Sequence, residues 1–106
     1  MARKIVVNEH QYTMPKISTL DYLDLLDIEK KLEEVNGSYS RDDFMLMVKA
    51  IVLMYGNQFT EDDVLNRENG LSPDSVIVEF SMLQAEVMDR VDKRVEKIRE
   101  NFTSGK

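Results

Sequence analysis

The side chains that could do chemistry in this chain are few and scattered. Its one histidine, His10, falls in a predicted turn. A zinc site needs several ligands held together, and the chain has no cysteine to supply thiolates. An imidazole without a partner is also a poor base or pH switch. A solvated turn residue is the simpler reading. Ser18, Ser40 and Ser72 could act as nucleophiles only beside an activating base and a group that orients it. Each instead sits where a helix begins, and there a hydroxyl caps free backbone N–H groups. Asp42-Asp43 and Glu61-Asp62-Asp63 offer carboxylates for acid–base work or metal binding. Both clusters fall in the first turn of a predicted helix, where negative charge meets the positive end of the dipole. Between Asp62 and Gly70 the acids do not alternate as a calcium loop requires. The glycines Gly37, Gly56, Gly70 and Gly105 stand apart, so no phosphate-cradling loop exists. Arg90, Lys93, Arg94, Lys97 and Arg99 interleave with acids, which reads as a solvated helical face rather than a nucleic-acid stripe. No catalytic residue, metal ligand or cofactor site is assigned, and a non-enzymatic protein is expected.

The overall balance points the same way. The formal net charge is -6 over 106 residues. Phosphate binding needs cations that displace counterions, and anionic membranes attract basic segments. Neither nucleic acid nor membrane is therefore an expected partner. A hydrophobic fraction of 42% allows a modest core. The absence of cysteine fits a reducing compartment. The Ile5-Val6-Val7 run is too short for a secretory leader. The apolar segment from Phe44 to Tyr55 contains Lys49 and falls short of the roughly 20 residues that span a bilayer. A soluble intracellular protein is expected.

These residues must be positioned by a mainly α fold. About four helices are predicted, including a long C-terminal one, with a small N-terminal β-hairpin, all in a single domain over 1–106. The hairpin occupies 4–14: Lys4-Ile5-Val6-Val7 is rich in β-branched residues, Asn8-Glu9-His10 is a polar turn, and Gln11-Tyr12-Thr13-Met14 alternates until Pro15. The first helix, 19–35, is capped by Ser18. Leu25, Ile28, Leu32 and Val35 share one face, and Asn36-Gly37 stops it. The second, 41–55, is capped by Ser40 and is apolar almost all round, so it belongs at the centre of the core. The third, 61–67, follows the Thr60 cap and ends before Asn69-Gly70.

The fourth helix, 73–101, has Ser72 as its cap and Pro73 at the first helical position. Val76, Phe80, Leu83, Val87, Val91, Val95 and Ile98 form its apolar stripe. Val78, Met82 and Ala85 widen the first half. Glu86–Arg90 and Asp89–Lys93 are favourable pairs four residues apart. At 1.5 Å per residue the helix is roughly 43 Å long. A compact domain of this size is only about 35 Å across. The helix should overhang, with its first half through Val87 on the central helix. The second half, with Val91, Val95 and Ile98, is left for a partner. The expected partner surface is Phe80, Leu83, Val87, Val91, Val95 and Ile98, flanked by Met82 and Met88, with part of the stripe shared with the core. Methionine adapts to varied partners. Met45, Met47 and Met54 read as core, whereas core and surface readings are balanced for Met82 and Met88.

The order of features also resembles a known family. A short strand pair leads into Tyr12-Thr13-Met14-Pro15-Lys16-Ile17-Ser18. A helix with Tyr22 and Glu29 follows. An apolar helix then ends in Tyr55-Gly56-Asn57-Gln58-Phe59-Thr60-Glu61-Asp62-Asp63. Over residues 4–90 the chain resembles the small tail assembly chaperones of long-tailed phages of Gram-positive hosts. The resemblance implies a holding chaperone that coats the tape measure protein, a long helical chain, until tail-tube subunits polymerise around it. It also implies self-association, a possible encounter with the tail tube protein, action in the host cytoplasm and absence from the finished virion. A longer frameshifted product ending beyond Ser104-Gly105-Lys106 would be compatible with it. The alternative reading from the residues is a small dimeric helical adaptor or regulator of a host or phage protein. A nucleic-acid-binding regulator is disfavoured by the charge.

Overall fold

The protein is described by a computed structural model over residues 2–33 and 37–104, the last four as backbone alone. Its elements run β1 (Lys4–Val7), β2 (His10–Thr13), α1 (Thr19–Glu33), α2 (Arg41–Met54), α3 (Glu61–Leu65) and α4 (Pro73–Ser104). The fold is mainly helical, with a long C-terminal helix and a small N-terminal hairpin, as the sequence predicts. Val35, Asn36, Gly105 and Lys106 lie outside the described residues, so the expected end of the first helix and the chain's last junction do too.

The hairpin is antiparallel, with Lys4 opposite Thr13 and Val7 opposite His10. Ile5 and Val7 face the core while Val6, between them, is exposed. Asn8 and Glu9 both have positive φ, 53° and 68°. A tight two-residue turn of the mirror-image type needs this at both positions. The reversal is thus complete in two residues, and His10 belongs to β2 rather than to the turn. The turn is tied down by Asn8 N–H, which donates to the Asn69 carbonyl at 2.8 Å.

Both short connections into helices are closed by reciprocal caps. Ser40 Oγ accepts from Asp43 N–H at 3.2 Å, and Asp43 Oδ2 accepts from Ser40 N–H at 2.7 Å. Thr60 and Asp63 repeat the arrangement at 3.1 and 2.9 Å. Asp43 and Asp63 therefore serve as capping-box carboxylates. Ser18 Oγ accepts from Asp21 N–H in the same manner at 3.1 Å.

α2 is the central helix. Met47, Val48, Ala50, Ile51, Val52 and Met54 are buried on it, and it packs against α1, α3 and α4. Between Phe44 and Tyr55 only Lys49 is exposed. Each fully buried Met, Val or Ile side chain contributes roughly 1.5–3 kcal/mol. Met47 and Met54 are core residues, while Met45 is half-buried. α2 ends at Met54, one residue before the predicted limit, because Tyr55 takes the cap position with φ -92° and ψ 16°. α3 ends at Leu65 rather than at 67. Asn66 leaves helical backbone with ψ 132°, and its side-chain oxygen accepts from Glu68 and Asn69 N–H, both at 2.9 Å. Gly70 then crosses the end of α3 so closely that a Cβ would lie 2.2 Å from the Val64 carbonyl. No other residue fits there.

α4 runs three residues past the predicted limit. The molecule is correspondingly elongated, 57 × 34 × 20 Å, with a radius of gyration of 15.7 Å. A compact chain of this length would have about 13 Å.

Candidate functional site

The Tyr55-Gly56-Asn57-Gln58-Phe59-Thr60 segment acts as a clamp between the hairpin and the end of α2. Gln58 Nε2 donates to the Thr13 carbonyl at 2.9 Å and to the Tyr55 carbonyl at 2.7 Å. Phe59 is buried, with its ring 5.0 Å from that of Tyr12 and 5.9 Å from that of Tyr55. Gly56 has φ +71°, and a Cβ there would lie 2.9 Å from Pro15 Cγ. A left-handed residue with a Cβ costs about 1–2 kcal/mol before any clash. Gly56→Ala is thus expected to destabilise the fold by about 2 kcal/mol, read as a lower urea midpoint with an unchanged slope.

One polar cluster inside the fold has no counterpart in the sequence reading. Glu79 on α4 is only 8% exposed. Arg3 donates to it through Nε at 2.8 Å and Nη2 at 2.7 Å, and Tyr55 Oη donates at 3.0 Å. The three side chains clasp the start of β1, the end of α2 and the first half of α4. A signal existed, since Glu79 is the single charged residue between Val76 and Leu83. Its partners, however, lie 76 and 24 residues away. Hydrogen bonding to Glu79 holds the Arg3 guanidinium above its usual value. Burial, and then the Glu79 carboxylate, push the Tyr55 phenol well above its usual value.

That shift has a pH consequence. The phenol of an unfolded tyrosine titrates near pH ~10. Because the folded value is raised, the stabilisation is complete below pH ~10 and is lost as pH climbs towards the folded value. Thermal melts from neutral to strongly alkaline pH should fall more steeply for the native chain than for Tyr55→Phe.

The predicted partner stripe divides along α4. Phe80, Leu83 and Val87 are buried in the chain's own core and leave almost no surface free. The reason is the packing of α4 on α2, which uses that whole face. Val91 is half-buried against the same core. Val95 and Ile98 are open, 40% and 49% exposed. Glu96 and Lys97, which lie between them in sequence, are also exposed. Met82 and Met88 are exposed as well. Val78 and Ala85, expected to widen the packed face of the first half, are exposed too. They lie round the helix from Phe80 and Leu83, on its outer side.

Where α4 leaves the body of the molecule it forms one wall of a groove of about 580 Å³. Val87, Val91 and Val95 line this wall, and Ile17, Tyr22 and the turn at Ser18-Thr19 line the other. The rim is basic: Lys16, Arg90, Lys93, Arg94 and Lys97. Arg90 sets the spacing of the walls. It pairs with Glu86 at 2.8 Å and donates to the Pro15 carbonyl at 2.8 Å. Lys93 pairs with Asp89 at 3.1 Å on the exposed face. Such surface pairs contribute little energy. Among the described residues no group of acidic and histidine side chains could hold a metal ion. No described helix is long and apolar enough to cross a membrane.

The described surface thus carries uncovered apolar area along α4. The family model for a phage tail chaperone protein matches residues 3–103. The chain belongs to the phage tail chaperone family. No curated protein and no solved structure matches it. Family membership gives this tail chaperone a role in tail assembly and implies a non-enzymatic one. In it, the segment that carries the resemblance is the structural clamp around Gly56. The outer part of α4 and the groove beside it are apolar surface that the chain's own core leaves uncovered.

Proposed function

We propose that the tail chaperone binds amphipathic helical segments of the tape measure protein on the overhanging part of α4 and in the groove beside it. The observation that carries this reading is the exposure of Val95 and Ile98 on a helix that has already left its own core. An amphipathic helix laid into an apolar groove is a common mode of peptide recognition. The groove supplies an apolar floor, and its charged rim keeps the occupied surface solvated. The exposed Val78, Met82 and Met88, on the outer flanks of α4, would let the same chain touch further partners, including a second copy or the tail tube protein. Work of this kind would take place in the host cytoplasm, before the virion is complete.

The test is co-expression with the tape measure protein from the same genome. The expected result is a large rise in its soluble fraction and a complex that survives co-purification. A tape measure protein that stays insoluble, with the chaperone running alone, would refute the proposal.

A further inference from the structure

The groove beside α4 is charged against the trend of the chain. Acids outnumber bases in the sequence by 20 to 14. Yet Lys16, Arg90, Lys93, Arg94 and Lys97 line the groove, and among the described residues no aspartate or glutamate does. Arg90 and Lys93 are each paired with an acid one turn back, Glu86 and Asp89. Lys16, Arg94 and Lys97 are exposed and have no ion-pair partner among the described residues.

The spacing on α4 sets these charges in order. Val87, Val91 and Val95 recur every four residues and form an apolar row. Arg90, Arg94 and Lys97 follow at four and three residues and run along one border of it. Asp92 and Glu96 lie on the opposite border, outside the lining. Lys16 stands on the facing wall, next to Ile17. An aliphatic floor is thus bordered by cations from both walls. Single-stranded nucleic acid would need aromatic platforms for its bases, and Tyr22 is the one aromatic side chain in the lining. From Arg90 to Lys97 the wall is roughly 10 Å long, about two turns of a bound helix.

We propose that the groove selects amphipathic helices whose apolar stripe is bordered by aspartate or glutamate, with Lys16, Arg94 and Lys97 receiving the carboxylates. Complementary charge of this kind confers specificity more than raw affinity. Elsewhere the chaperone is acidic and repels such a helix, so the preference belongs to the groove. The inference rests on the reading of this groove as a site for client helices, but not on the client being the tape measure protein.

The experiment is a fluorescence-anisotropy titration of the full chain against labelled synthetic peptides about five turns long. All carry the same leucine stripe, and the positions bordering it are all Glu, all Gln or all Lys. These three residues have similar helix propensity, so the comparison is one of charge. The Glu peptide should bind at least about tenfold more tightly than the Lys peptide, with Gln between them, and the gap should shrink in high salt. A scrambled Glu peptide whose leucines share no face should not bind. Arg94→Glu with Lys97→Glu should reverse the order. Both side chains are exposed, and circular dichroism checks that the fold is kept. Lys30→Glu with Lys31→Glu makes the same change in net charge outside the groove lining and should leave the order as it was. Equal affinities, an order that survives the Arg94/Lys97 reversal, or an order lost equally in the Lys30/Lys31 variant overturns the proposal. So does displacement of the Glu peptide by an equal concentration of single-stranded oligonucleotide, which would make the rim a phosphate site. Tape measure solubilisation measured in parallel separates the two readings. Solubilisation that persists while the peptides bind without order refutes the charge selection alone. The stated order without solubilisation supports the selection and counts against the tape measure protein as client.

Discussion

Replacing Val95 and Ile98 together by aspartate is expected to lower the affinity for the tape measure protein about 100-fold or more while leaving the fold in place. Complete burial of a valine or isoleucine side chain contributes roughly 1.5–3 kcal/mol. Both are already part-covered in the free chain, at 40% and 49% exposure. A client would therefore recover about half of that from each, roughly 2 kcal/mol in all. Aspartate also brings two charges that must be desolvated or leave the contact open, adding about 1 kcal/mol or more. Each 1.4 kcal/mol is about tenfold in affinity, which gives the stated loss.

The cost to the chain itself is small. Both positions lie past Val91, the last stripe residue packed on the core. What remains is helix propensity, a few tenths of a kcal/mol for each aspartate. The melting temperature should move by no more than about 5 °C. Leu83→Asp is the contrasting case. It places a charge at a fully buried position and should unfold the protein. Met82→Asp, on the outer side of α4, should leave client binding intact if the groove and overhang carry it. Pull-down and soluble-fraction assays on the three variants, each beside its circular dichroism, make the comparison. Solubilisation unchanged in the Val95/Ile98 variant would move the client site elsewhere.

The periodicity that makes α4 legible as a helix could not say where its core ends. Val91 and Val95 have the same residue type and continue the same stripe. One is half-buried and the other open because the body of the molecule stops between them, a fact set by α1, α2 and the linker at 14–18. The caps at Ser18, Ser40 and Thr60 were legible because a cap is a local event, complete within four residues. The leucines of α1 show the opposite limit. Leu25, Ile28 and Leu32 are inward-facing at the expected spacing, but the same helix carries Leu20, Leu23 and Leu26 on its other sides. A single stripe accounts for the packing and passes over the remainder. The groove was invisible for a related reason. Its walls come from segments some 70 residues apart in sequence, and no local pattern joins Ile17 to Val95. The segment from Tyr55 to Thr60 has a structural purpose: Gly56 is there because its φ is positive and Pro15 leaves no room for a Cβ.

The largest effect on the fold itself is expected from Glu79→Ala. The substitution removes a buried carboxylate that accepts two hydrogen bonds from Arg3 and one from Tyr55. Breaking a buried ion pair from one side typically costs about 3–5 kcal/mol, since the other charge is stranded. Arg3 keeps 23% of its side-chain surface and can turn partly to water, so about 2–4 kcal/mol is the fitting range here. Domains of this size hold only about 5–15 kcal/mol in total. The melting temperature should therefore fall by roughly 10–25 °C. The cycle with Arg3 gives the sharper test. Arg3→Met alone leaves a desolvated carboxylate with Tyr55 as its remaining partner and should be similarly damaging. The double variant Arg3→Met/Glu79→Leu strands no charge, and should be less destabilised than the sum of Arg3→Met and Glu79→Leu by at least about 1 kcal/mol. Simple addition of the two effects would mean that the pair is not coupled. The clasp also bears on the groove. It fixes the hairpin against α4, and the hairpin leads directly into the linker whose Ile17 forms the far wall. Arg90 holds that linker from the other side through the Pro15 carbonyl. Loosening Glu79 should thus weaken client binding even at temperatures where the helices persist. The Val95/Ile98 variant should do the reverse, losing the client without losing the fold.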